Sequence, residues 1–266
     1  MTDKLLTPFT VTPELLNEVN TLAAPSMLAV ALRAAHTELG QAIDKLALYS
    51  YQAEFKQGAR EGDQVRVAIE RLADPSASDP AYQVRFATGE DTTGRVGKWH
   101  LQFGPQSSNR LLPYNLAPAF ADDRTDRSLW RPDAAVASGD SIHDGQTLLW
   151  LAGQSARSYF RRLDQALVAE VAPGTLQDDP NQRNYGGIKV IMTFAGRPES
   201  GCKLYCVPDY QLPLNRQKPG KLLDFQEMLV GEVEDHTFLL GVARFTVVRM
   251  SGGAAVYPNG SKEKPE

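Results

Sequence analysis

"SIHDGQTLLWLAGQSARSYFRRLDQALVAEVAPG", residues 141–174, decides the fold class. Leu148, Leu149, Ala152, Ala156, Tyr159, Leu163, Ala166, Leu167 and Val171 recur at three- and four-residue spacing, which lays them along one stripe of an α-helix. Ser141 and Asp144 read as a capping box, and Pro173-Gly174 as the stop. An apolar stripe of this length must pack against something, and the sequence on either side supplies strands.

Before the helix, "AYQVRFATGEDTTGRVGKWHLQFG" (residues 81–104) reads as a hairpin. Tyr82, Val84 and Phe86 share one face of its first strand, and Trp99, Leu101 and Phe103 one face of its second. "QVRVAIERL" (64–72) alternates in the same way. After the helix, "GGIKVIMTF" (186–194) and "CKLYCV" (202–207) flank the turn sequence "AGRPESG", which predicts a second hairpin. "EMLVGEVED" and "HTFLLGVARFTVVRM" (227–250) supply further strands.

Residues 12–57 read as helical from Thr12-Pro13 onward. Leu28, Leu32, Ala35, Leu39, Ala42, Leu46, Tyr49 and Ala53 keep one seam facing one way. Such a seam either packs on its own domain or joins a second copy of the chain. Residues 104–140 contain four prolines and little periodicity, and read as a long loop. No internal repeat is visible.

The resulting expectation is an α+β fold: a long N-terminal helix and a central helix packed on a mainly antiparallel β-sheet. The divisions are an N-terminal helical region (1–60), a β-hairpin region with a long Pro-containing loop (61–140), a helix plus C-terminal antiparallel region (141–258) and a frayed tail (259–266), in one compact unit or two closely packed lobes.

The chain has 266 residues and a net charge of −4, which excludes a uniformly basic nucleic-acid binder. The N-terminus lacks the apolar run of a signal peptide, and no stretch approaches the length of a membrane span. The expected compartment is the cytoplasm. Two cysteines make no disulfide scaffold. On a strand Cys202 and Cys206 lie about 13 Å apart, too far to bridge. None of His36, His100, His143 and His236 stands at zinc-finger spacing from them. Both cysteines are expected in the core, with neither metal nor cofactor.

Catalytic signals are sparse. "GQSAR" (153–157) begins a G-x-S-x-G elbow, but the helical stripe runs through it, so Ser155 sits inside a helix. His143 stands at a helix start, and His236 is a histidine that Ser155 could use as a base. "DDRTDRSLWRPD" (122–133) lacks the spacing of a calcium loop. "GEDTTGRVGKW" is a turn rather than a phosphate loop, and the dinucleotide glycine fingerprint is absent.

Charge asymmetry is the strongest remaining feature. Residues 183–221 carry seven cations against two acids. Arg183, Tyr185, Lys189, Lys203, Tyr205, Arg216, Lys218 and Lys221 combine positive charge with aromatic rings, as a single-stranded nucleic acid requires. The leading expectation is therefore a non-catalytic binding or assembly protein that contacts nucleic acid or an acidic partner, with homo-oligomerisation through Leu28–Leu46. The alternatives are a hydrolase using Ser155 with a histidine, and a structural component of a phage, plasmid or secretion assembly.

Overall fold

A computed structural model describes residues 4–17, 20–72, 79–89, 93–105, 112–114, 135–171, 185–208, 222–234, 236–251 and 254–255. Helix α1 is Ala24–Leu39 and helix α2 is Ser141–Val171. The sheet strands are β1 Lys4–Leu5, β2 Phe9–Thr10, β3 Leu46–Glu54, β4 Gln64–Leu72, β5 Ala81–Thr88, β6 Gly97–Pro105, β7 Leu112–Pro113 and β8 Ala135–Val136 in the first part of the chain. They continue as β9 Tyr185–Phe194, β10 Lys203–Pro208, β11 Leu222–Val233, β12 His236–Ser251 and β13 Ala254–Ala255. Every ladder among the described residues is antiparallel, and the helices pack on the sheet, as the α+β expectation requires.

The strand order β4-β5-β6-β3-β9-β12-β11-β10 contains a repeat that the residues do not advertise. Each half is a helix followed by four strands, with the first of the four placed beside the last. The halves join through β3 and β9, which pair from Ser50↔Thr193 to Glu54↔Lys189. The repeat is one of topology, carried by different side chains in each half, and so escapes a search for sequence periodicity.

The alternation in 64–72 and 81–104 builds what it predicts: Val65, Val67, Ile69, Tyr82, Val84, Phe86, Trp99, Leu101 and Phe103 are all buried. Two other expectations fail, and a third is met only by fragments. The N-terminal helix covers only 24–39 of the 12–57 expected. Gly40 ends it at φ +54, ψ −131, a short 3-10 turn follows (Gly40–Lys45), and "LALYSYQAE" then runs as β3. The seam is therefore no single face. Leu28, Leu32 and Ala35 are buried in the chain's own core, Leu39 is half-buried at the end of α1, Ala42 is exposed in the 3-10 turn, and Leu46 opens a strand. Next, β9 and β10 do not form a hairpin: β9 pairs with β3 and β12, whereas β10 pairs with β11 and β8. "AGRPESG" is a crossover from the sheet centre towards its edge. Finally, residues 104–140 contribute two short strands, β7 and β8, and most of the remainder, including 122–133, lies outside the described residues.

Helix α1 packs on β5 and β6, α2 packs on β10 and β11, and the two helices touch each other. Gly145 of α2 faces Leu32 and Leu28 of α1 at this crossing, where a Cβ would meet Leu32 Cδ1 at 3.5 Å, an ordinary van der Waals contact. No helix among the described residues is long and apolar enough to cross a membrane.

Candidate active site

Where the C-terminal half of α1 meets the first turns of α2, a cleft of about 400 Å3 opens. Its other walls are the start of β3 and the end of β9 with the turn that follows. Both halves of the repeat contribute to it. Leu32, Ile43, Leu48, Leu148 and Phe194 supply an apolar wall, and His36, Asp44, Asp144 and Arg197 supply polar groups. Concave sites of this size, mostly apolar with a few convergent polar groups, are the usual shape of a small-molecule site.

The local sequence explains how the polar groups are held. Asp140, not Ser141, caps α2: its Oδ1 accepts from the N–H groups of Ile142 (2.9 Å) and His143 (2.8 Å). Those bonds, the His143 N–H above all, hold its carboxyl below the usual aspartate value against the opposing effect of burial. Asp144 is buried and fully engaged, accepting from Ser138 N (2.7 Å), Ser138 Oγ (2.9 Å) and Gly139 N (2.9 Å). It pins the turn before α2 instead of completing a capping box. Arg197 Nη2 donates to Gly139 O at 3.2 Å, tying the β9–β10 crossover to the same turn.

His36 sits on α1, half-buried, its ring edge-on to Phe103 with centroids 6.2 Å apart. Burial pushes its pKa below the ordinary 6.5, the Asp140 charge opposes that shift, and the Arg197 charge reinforces it. At neutral pH the imidazole is therefore neutral and able to accept a proton, with a carboxylate near enough to stabilise the imidazolium that results.

Of the residues singled out in the sequence for binding, Lys189, Lys203 and Tyr205 have described side chains. Lys203 Nζ bonds Glu232 Oε1 at 3.0 Å, and the Tyr205 hydroxyl donates to the same carboxylate. Lys189 faces Glu54 across the β3–β9 ladder at 4.0 Å. With β12 and β11 standing between β9 and β10, Lys189 is about 14 Å across the sheet from Lys203. Tyr185 opens β9, while Arg183, Arg216, Lys218 and Lys221 lie outside the described residues. Both cysteines are free and buried. Among the described residues no set of three or more His, Cys, Asp or Glu side chains is placed to hold a metal ion.

His143 is exposed on the first turn of α2, 3.8 Å from Asp144 Oδ1. His236 is exposed at the start of β12, where its Nδ1 meets Glu234 O at 2.9 Å. Ser155 is buried beside Glu227, and neither histidine makes a hydrogen bond to it. Sequence reasoning does not reach His36, Asp140 and Arg197 as a set: nothing in the local sequence joins residues 36, 140 and 197, though an Asp before a long helix is itself a capping signal.

No family model and no curated protein matches the chain. Solved structures do. An acyl-ACP thioesterase from Bacteroides thetaiotaomicron aligns over 93% of this chain and 98% of its own at TM-score 0.54 and 11% identity. A Lactobacillus plantarum protein assigned as an oleoyl thioesterase aligns over 94% and 97% at TM-score 0.58 and 10% identity. The 12:0-ACP thioesterase of Umbellularia californica aligns over 93% and 98% at TM-score 0.50 and 11% identity. The likeness is one of fold, the hotdog arrangement of helices against a large antiparallel sheet. It overturns the expectation of a non-catalytic protein that binds nucleic acid or another protein, because an end-to-end match to acyl thioesterases favours the hydrolase alternative.

Proposed function

We propose that the protein hydrolyses an acyl thioester in the cleft between α1 and α2. The observation that carries this reading is that His36 from one half and Arg197 from the other line one cleft beside an apolar wall, with the Asp140 charge close enough to act on His36. The whole-chain likeness to thioesterase structures supports it.

The residues have the properties that the reaction needs. Neutral His36 takes a proton from a water that attacks the thioester carbonyl carbon. Charge develops on the carbonyl oxygen, where the Arg197 guanidinium opposes it. As the C–S bond breaks, the imidazolium returns its proton to the departing thiolate, giving the free acid and the thiol. Asp140 stabilises the imidazolium in between, and the apolar wall holds the acyl chain.

The test is thiol release from acyl-CoA and acyl-carrier-protein substrates of graded chain length, with the acyl product identified by mass spectrometry. Turnover to the free acid is expected, falling about 100-fold or more in His36→Ala. Absence of turnover across the panel, or full activity in His36→Ala, would contradict the proposal.

A further inference from the structure

The two groups that act on His36 from the second half are both tied to one turn, residues 138–140. Asp140 stands in that turn, and Arg197, which lines the cleft, donates to its Gly139 carbonyl at 3.2 Å. Their charges act on the imidazole in opposite senses. On its N-terminal side the turn is anchored by backbone. The Ala137 N–H donates to Cys202 O at 2.8 Å, and the Gly201 N–H donates to Ala137 O at 2.9 Å. Beyond that point the donors go to a side chain. Ser138 N–H, Ser138 Oγ and Gly139 N–H all donate to the Asp144 carboxyl, at 2.7, 2.9 and 2.9 Å. Ser138 Oγ in turn accepts from the Asp140 N–H at 3.1 Å.

Asp144 is itself firmly placed. It lies in the first turn of α2, its backbone N–H donates to Asp140 O at 2.8 Å, and the residue is 2% exposed. A buried carboxyl is costly unless its oxygens are hydrogen-bonded, and here the turn supplies donors to both. Gly139 lets one residue serve two partners. At φ +82, a backbone region that suits glycine, its N–H meets Asp144 while its carbonyl meets Arg197. With both oxygens engaged by the turn, Asp144 acts on the cleft through the residues it holds.

We infer that Asp144 is a positioning residue: its carboxyl latches the turn at 138–140 and thereby holds Asp140 and the Arg197 guanidinium in register with His36. The inference rests on the acyl-thioester reading of the cleft. A base and a charge-stabilising group work only in the right geometry, and a misplacement of about 1 Å can cost about 100-fold in rate. Arg197 opposes charge that develops in the transition state, so a loosened turn lowers kcat and leaves KM nearly unchanged. Asp144→Asn is the smallest change that loosens it. Whichever way the amide is turned, its NH2 meets the N–H of Ser138 or of Gly139, where an oxygen had accepted.

The test joins the thiol-release assay to amide hydrogen exchange, read by NMR on the substrate-free protein. Asp144→Asn is expected to speed exchange at Ser138, Gly139 and Asp140, and to lower kcat about 10- to 100-fold with little change in KM. Ser138→Ala, which removes one of the three bonds, is expected to give the same pattern to a smaller degree. In an Arg197→Ala background Asp144→Asn should cost distinctly less than in the wild type, because part of what it disturbs is already gone. A residue acting through general stability alone would cost the same in both. If Asp144→Asn does not fold, Ser138→Ala carries the exchange, kcat and background readouts. Unchanged exchange at the three amides, unchanged kcat, a loss confined to KM, or equal losses in both backgrounds overturns the inference. Absence of turnover in the wild type removes the proposed reaction, and exchange then decides the latch alone; turnover with unchanged exchange removes the latch and leaves the reaction.

Discussion

His36 is held between charges of opposite sign on a partly buried helix face, and its titration should report that setting. Burial and Arg197 lower its pKa below 6.5, and Asp140 limits the fall. The acid limb of kcat/KM is expected below pH 6.5, and Asp140→Asn should move it to still lower pH by removing the charge that favours the imidazolium. A limb that stays in place would show that Asp140 does not act on the base. Stability carries the same sign. As pH falls from 6.5 the unfolded chain takes up the proton first, so His36 costs stability down to its folded-state pKa. Glu227 has the opposite signature. Its folded pKa is raised by burial, so its contribution is retained below pH 4.5 and is lost as pH rises towards the folded value. Glu227→Gln should therefore gain on the wild type by about 1.4 kcal/mol per pH unit in that window, read as a Tm difference that widens with pH. Parallel Tm curves would place the carboxyl in contact with water. The position was legible in principle, since Phe225, Glu227 and Leu229 alternate, but a lone Glu in an apolar row gives no hint of which helix residue faces it.

At the level of elements, the strand patterns were read well and the first helix poorly. Period-two alternation in 64–72 and 81–104 fixes which side chains face the core because a strand has only two faces. The heptad-like spacing of residues 28–53 misled because Leu46, Tyr49 and Ala53 continue the helical spacing, whereas in β3 a register shift between Leu48 and Ser50 lets alternation bury Tyr51 and Ala53 and leave Tyr49 exposed, and Gly40 is the residue that separates helix from strand. At φ +54, ψ −131 it occupies a conformation almost closed to other residues. Gly40→Ala should cost about 1–3 kcal/mol in guanidinium unfolding, although a Cβ there meets nothing within 4 Å. A neutral effect would mean that the α1–β3 turn adopts another backbone path. The missed β9–β10 topology has a different cause. Turn residues reveal where a chain reverses but not whether it returns beside itself, and here two strands from later in the sequence fill the gap.

For the molecule as a whole, the joining of two helix-plus-four-strand halves is the feature from which the candidate site follows. Neither half alone brings a histidine to the acid that caps the other half's helix. Because β3 and β9 are both central strands and α1 touches α2, the halves should unfold together. Trp99 is buried in the first half and Trp150 rides on α2 in the second, so single-tryptophan variants can follow each by fluorescence. Coincident midpoints, matching far-UV circular dichroism, are expected; separate transitions would indicate two independent units. The most direct test of the cleft is a crystal structure with an acyl-CoA analogue whose thioester is replaced by a non-hydrolysable thioether. The sulfur and the adjoining carbon should lie against His36 and Arg197, with the acyl chain running between α1 and α2. An analogue bound elsewhere, with the cleft filled only by solvent, would contradict the account.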